Sequence, residues 1–277
     1  MLDAWQNLPL HLNPLVFTIG NFSLRWYSLG YLLAFLTIYF LLRHRLFDKN
    51  APVNLTVNKL ENILFFSFLG ALLGGRFGYA ILYNWSEFVT HPLKTILPFS
   101  SSGNFTGFYG MSFHGGLLGA IIAGWIVCKK YRLNFSQILN FIIPAFPLGY
   151  FWGRLGNFLN GELYGRLTES KIGMYFKDYP TELRHPSQLY EALGEGVVLF
   201  FILNYFSKQT KWQNKLFPLF LIFYGLIRFG LEFFRQPDPQ LGFIAFGWLT
   251  MGQFLCLIMI GLGTVFLLIN PLKFHKH

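Results

Sequence analysis

Long apolar runs separated by short polar segments organise this chain. Stretches at 27–42, 60–82, 113–128, 136–151, 189–206, 216–234 and 248–268 carry few charges, and their lengths suit helices that cross a bilayer about seven times. Pro144 and Pro147 fall inside the fourth run and predict a kink there. The pattern predicts an all-α polytopic membrane protein, a single transmembrane helical domain over residues 1–277. The polar stretch 153–188 is long enough to fold as a small cap between spans four and five.

Composition agrees. Of the 277 residues, 53% are hydrophobic and 12% charged, about half the charged share of a soluble domain. Mean hydropathy is +0.43. The net charge of +10 would suggest nucleic acid in a soluble protein, but here the cations sit in alternate loops. Arg43, Arg45, Lys49 and Lys59 follow the first run, Lys129, Lys130 and Arg132 the third, Lys208, Lys211 and Lys215 the fifth, and Lys273 and Lys276 the last. Such loops face the cytoplasm, which predicts an outer N-terminus, an inner C-terminus and no nucleic-acid partner. Asp3 replaces the basic cluster of a cleavable signal peptide. Cys128 and Cys256 lie in apolar runs without metal-ligand spacing, so they read as buried inert thiols. Walker, zincin, nucleophile-elbow and dinucleotide motifs are missing, leaving metal and nucleotide chemistry without positive support.

The informative residues are polar groups that interrupt the apolar runs. Gly70, Gly74 and Gly78 recur every fourth position and give one smooth helix face. Arg76, beside them, must face a partner or a wet cavity. His114 stands where a loop enters a helix, followed by Gly115 and Gly116. It reads either as a general base or phosphate donor, or as an interfacial histidine in a packing motif. Arg154, Asn157, Asn160 and Glu162 lie among glycines directly after the fourth run. Guanidinium and carboxamide groups there can grip phosphate and ester oxygens, or form a structural polar knot. His185-Pro186 opens the fifth run, where Pro suits a first helical turn, and a structural role is favoured for His185. Glu191 falls near the membrane surface and Glu195 one turn deeper. In the sixth run Tyr224, Arg228 and Glu232 share a helix face, Arg228 and Glu232 can pair, and Arg235 continues near the outer end. An enzyme acting on an anionic lipid, a transporter for an anionic amphiphile and a non-catalytic scaffold would all use such residues.

Together the segments resemble the prolipoprotein diacylglyceryl transferases of bacterial inner membranes. The family signature G-R-x-G-N-F-x-N-x-E-x-x-G matches Gly153 through Gly165; HGG matches at His114–Gly116, HPxxLYE at His185–Glu191 and YGxxRxxxEFFR at Tyr224–Arg235. Arg25, Trp26 and Tyr27 match the start of the first span, whereas Tyr109 stands where the family usually has a glycine. The resemblance implies transfer of the diacylglyceryl group of phosphatidylglycerol to the lipobox cysteine of a preprolipoprotein, with glycerol 1-phosphate leaving and no cofactor or metal. It places the protein in the inner membrane with a periplasmic cap. On this reading Arg154 and Arg228 take the developing phosphate charge, and His114 is the base or orients the headgroup. Asn157, Asn160 and Tyr27 orient the headgroup or glyceryl part, and Glu162 and Glu232 position the arginines. Gly165 allows close backbone approach, and Tyr224 and Arg235 complete the substrate-binding set.

Overall fold

The computed structural model describes residues 2–19, 22–49, 51–92, 110–237 and 242–269. Tyr109, Lys273, Lys276 and most of the long loop after the second span lie outside these residues. In chain order the elements are α1 (Leu2–Gln6), α2 (Leu8–His11), β1 (Leu15–Ile19), β2 (Phe22–Arg25), α3 (Trp26–Arg45), α4 (Val57–Tyr83), α5 (Trp85–Thr90) and α6 (Phe113–Lys130). Then follow α7 (Phe135–Ile142), α8 (Phe146–Asn160), β3 (Met174–Phe176), β4 (Tyr179–Arg184), α9 (Ser187–Ser207), α10 (Leu216–Leu231), β5 (Phe243–Ala245), β6 (Leu249–Thr250) and α11 (Met251–Leu268).

Among the described residues, five segments are long and apolar enough to cross a membrane: Trp26–Arg45, Val57–Tyr83, Ser187–Ser207, Thr210–Leu231 and Met251–Leu268. The other two expected spans are helical but differ in kind. α6 has 18 residues, opens on Phe113-His114 and closes on Lys129-Lys130. The fourth is broken into α7 and α8 by a 3-10 turn at Ile143–Ala145, where Pro144 removes a backbone donor.

Two sequence expectations need correction. The protein is mostly helical rather than all-α, since β1–β2, β3–β4 and β5–β6 form short antiparallel hairpins. Helix also does not stop near Phe151. α8 runs through Gly153 and Gly156 to Asn160, and ends where Gly161 adopts a left-handed conformation, φ 73. Helix-interior glycines are tolerated where a neighbouring backbone packs close, and a Cβ at Gly156 would lie 3.3 Å from Tyr27 Cα. Arg154 and Asn157 therefore project from a helix, and the polar segment that leads to β3–β4 starts past Gly161.

The chain divides into two compact units, Arg45–Ile138 and the combination of Met1–His44 with Leu139–His277. In the first, the glycine face of α4 meets α6. A Cβ at Gly74 would collide with the Gly115 carbonyl oxygen, and one at Gly70 with that of Gly119, so the two backbones are in direct contact. Arg76 is buried and its Nη1 donates to the Gly110 carbonyl at 3.4 Å. A backbone carbonyl thus meets the demand of a cation within this helix.

In the second unit, Ile143, Leu199, Leu203, Leu216 and Leu219 form a buried apolar cluster joining the 3-10 turn, α9 and α10. Phe158, Met174 and Phe176 form another, which seats the β3–β4 hairpin on the end of α8. The hairpin is also tied to the N-terminal segment, with Trp5 Nε1 donating to the Ile172 carbonyl at 3.2 Å. The first cluster holds α9 and α10 at the ends away from Glu191 and Arg228, and the second holds the end of α8 that carries Asn157 and Asn160.

Candidate active site

α8 supplies the first part of the site. Tyr150, Arg154 and Asn157 fall three and four positions apart and share one face. Arg154 Nε donates to Tyr150 Oη at 2.5 Å, and Nη1 donates to Asn157 Oδ1 at 3.4 Å. The Gly161 turn then folds the chain back, so that Glu162 N–H donates to the Asn157 carbonyl at 3.1 Å. Glu162 Oε1 accepts from Asn157 Nδ2 at 2.9 Å and from Asn160 Nδ2 at 3.4 Å. Glu162 therefore orients the two asparagines, and it reaches Arg154 only through Asn157.

α9 supplies the carboxylates. Its start is pinned to the segment that follows α8: Gln188 Nε2 donates to the Glu162 carbonyl at 2.7 Å and Ser187 Oγ to that of Leu163 at 3.0 Å. At Gly165 and Arg166 the backbone pairs with two segments, since Gly165 N–H donates to the His185 carbonyl at 2.8 Å and Arg166 N–H to that of Phe234 at 2.9 Å. A Cβ at Gly165 would lie 2.7 Å from the His185 oxygen and collide with that of Phe234. Its closeness to backbone is thus realised within the protein. His185 packs edge-on to Tyr190 and Phe234, with Nδ1 3.2 Å from Tyr190 Oη, and burial pushes its pKa down.

Glu191 and Glu195, each 1% exposed, meet the arginines. Glu191 Oε2 lies 2.8 Å from Arg154 Nε and 3.0 Å from Arg228 Nη1, while Oε1 lies 3.4 Å from Arg235 Nη1. Glu195 Oε1 is 3.2 Å from Arg228 Nη1. The pairing of Arg228 with Glu232 is present at 2.7 Å, and the second Glu232 oxygen accepts from Thr250 Oγ1 at 3.1 Å. A wide π turn at Ala192–Val198 follows Glu191 and includes Glu195; such turns inside helices are frequent at functional sites.

The result is an electrostatic lattice in which Arg154, Arg228 and Arg235 alternate with Glu191, Glu195 and Glu232. Any one of these charges, buried alone, would be strongly unfavourable, and the geometry compensates each with opposite charge. A guanidinium has five N–H donors, so these contacts fix its orientation without consuming its capacity. Arginines held in this way in a low-dielectric setting are preorganised to accept an anion.

Tyr224 stacks on Phe220 and meets Tyr150 edge-on at 6.3 Å. Tyr27 Oη lies 2.8 Å from Tyr31 Oη, with its backbone against Gly156. His114 belongs to the other compact unit, exposed on the first turn of α6 and edge-on to Phe113. The structure therefore brings Arg154, Asn157, Asn160, Glu162, Arg228, Glu232 and Arg235 into linked contacts, with Tyr224 beside them. Among the described residues no cluster of His, Cys, Asp or Glu is arranged to hold a metal ion.

The sequence profile of the prolipoprotein diacylglyceryl transferase family matches residues 14–269. The chain belongs to this family. It is 46% identical over 263 residues to a phosphatidylglycerol–prolipoprotein diacylglyceryl transferase of Chlorobaculum tepidum, covering 94% of this chain and 90% of that one. A protein of the same name from Legionella pneumophila is 43% identical over 253 residues, 91% of this chain and 95% of that one. Another from Rickettsia bellii is 44% identical over 263 residues, 94% and 95% of the two chains.

Sequence reasoning missed the importance of Glu191, Glu195, Tyr150 and Thr250. A signal for the two glutamates existed. Carboxylates one turn apart in an apolar run are as costly as the arginines, and opposite charges in separate spans balance best when they meet. Tyr150 and Thr250 left no such trace, because both residue types are ordinary at membrane interfaces.

Proposed function

We propose that this protein transfers the diacylglyceryl group of phosphatidylglycerol to the lipobox cysteine thiol of a preprolipoprotein, the first step of bacterial lipoprotein maturation. The observation that carries the reading is the convergence of Arg154 and Arg228 on one buried oxygen, Glu191 Oε2. Each guanidinium keeps N–H donors beyond those that Glu191 engages, and the reaction expels a phosphate monoester.

In the proposed step the cysteine sulfur attacks the glyceryl carbon bonded to the phosphate oxygen. The S–C bond forms, the C–O bond breaks with its electron pair going to glycerol 1-phosphate, and the thiol proton leaves to a base. Arg154 and Arg228 absorb the charge that grows on the phosphate, with Arg235 as a further cation for the headgroup. Asn157 and Asn160, oriented by Glu162, together with Tyr27 and Tyr224, set the headgroup and glyceryl positions. Glu232 holds Arg228, and Gly165 keeps the cap close to the end of α10. A thiol with an ordinary pKa near 8.5 needs a base at neutral pH, and His114 is proposed either as that base or as a residue that orients the headgroup.

The membrane arrangement follows from the same reading: about seven spans in the bacterial inner membrane, an N-terminus and a 162–188 segment in the periplasm, and a cytoplasmic C-terminus. α6 and the broken α7–α8 pair supply the crossings beyond the five most apolar ones. Basic loops at 43–59, 129–132 and 208–215 support this direction.

Purified protein in phosphatidylglycerol bilayers, incubated with a lipobox peptide, should produce a peptide heavier by one diacylglyceryl group. A Cys→Ser peptide should gain nothing. Lipid movement without a covalent product would instead identify a transporter.

A further inference from the structure

We infer that Thr250 and Gly252, at the start of the last long helix, are positioning residues for this reaction, acting on Arg228 through Glu232. The inference rests on the assignment of Arg228 to the phosphate. Glu232 lies just past the end of α10 and divides its two oxygens between different partners. Oε2 holds Arg228 Nη2 at 2.7 Å and Oε1 accepts from Thr250 Oγ1 at 3.1 Å.

The direction of the Thr250 hydroxyl is set by its other contacts. Thr250 caps α11, so its oxygen accepts from Gln253 N–H at 3.2 Å, while Gln253 Oε1 accepts from Thr250 N–H at 3.0 Å. With a lone pair engaged by the helix, the hydroxyl hydrogen is available to Glu232. Thr250 is 3% exposed and Gln253 0% exposed, so water does not compete for these bonds.

Gly252 supplies room. A Cβ there would lie 2.7 Å from Glu232 Oε1, 2.9 Å from its carboxyl carbon and 3.2 Å from Oε2. The carboxylate therefore rests directly on the first turn of α11, where the helix dipole favours negative charge. Any side chain at 252 displaces it, and Arg228 loses the partner that fixes one edge of its guanidinium.

The test uses the full chain in phosphatidylglycerol bilayers. Gly252→Ala keeps the Thr250–Gln253 cap and should lower kcat about tenfold, the scale of one charge-assisted hydrogen bond, with KM for the lipobox peptide unchanged. Thr250→Val should lower kcat similarly, and Thr250→Ser should recover most of that loss. Melting temperature is followed in parallel, and a loss of activity that merely tracks unfolding overturns the inference. So does full kcat in Gly252→Ala, or a Thr250→Ser variant no better than Thr250→Val. An independent readout is the nitrogen NMR signal of the Arg228 guanidinium, assigned by its loss in Arg228→Lys. It should shift in both Gly252→Ala and Thr250→Val; an unmoved signal overturns the inference whatever the turnover. Absence of product from the wild-type protein would instead refute the proposed transferase activity.

Discussion

Arg154 and Arg228 meet on a single carboxylate oxygen, Glu191 Oε2, at 2.8 and 3.0 Å. One arginine comes from α8 and the other from α10, and the glutamate that joins them comes from α9. The site is therefore a product of helix packing, and its charge balance is distributed over several elements.

Glu191→Gln should be the most damaging isosteric change in the lattice. It keeps the shape but leaves Arg154, Arg228 and Arg235 without the charge that sits among them. Breaking a buried pair from one side costs about 3–5 kcal/mol, so a clear fall in melting temperature is expected together with near-complete loss of turnover. Thermal unfolding in detergent and the peptide lipidation assay check both.

Arg228→Lys separates charge from shape. Arg228 reaches Glu191, Glu195 and Glu232 through Nη1 and Nη2, which a single ammonium cannot reproduce. Turnover should fall at least about tenfold, since charge-assisted bonds are each worth roughly 1.5–3 kcal/mol. Wild-type rates in the lysine variant would show that charge alone suffices.

The glycine contacts make a stability prediction in the other unit. Gly74→Ala pushes a methyl into the Gly115 carbonyl, forcing α4 and α6 apart. Overpacking of this kind costs about 1–3 kcal/mol, visible as a lower melting temperature. Gly153→Ala, where a Cβ meets nothing within 4 Å, should leave the melting temperature nearly unchanged.

His185 gives a pH dependence. Burial lowers its folded-state pKa, so the unfolded chain binds the proton more readily. The stability it contributes is complete above the ordinary histidine value and is lost as pH falls through the folded one. The melting temperature should therefore decline between about pH 7 and pH 5, and decline less in His185→Gln.

Much of this was legible in the sequence, for physical reasons that also explain the rest. Apolar runs reported the long helices because lipid demands them, and the Gly70–Gly74–Gly78 repeat reported a close-packing face on α4, because only small residues let backbones touch, without naming α6 as its partner. The Arg228–Glu232 pair followed from helical spacing alone. The end of α8 was misplaced because Gly153 and Gly156 look like helix breakers in isolation, whereas packing against Tyr27 keeps Gly156 helical; the chain turns only at Gly161. The hairpins were hidden because runs as short as Met174–Phe176 and Leu249–Thr250 carry too little alternation to register. Glu191 was legible as a residue out of place, but its three arginine partners become visible only when separate helices are brought together.

The most direct test measures both products at once, lipidated peptide and glycerol phosphate, for wild type, Arg154→Ala and Arg228→Ala in phosphatidylglycerol bilayers. The account predicts equal amounts of the two products from the wild type and neither from the arginine variants, with all three proteins folded. Undiminished formation of both products by a folded Arg154→Ala or Arg228→Ala protein would contradict it.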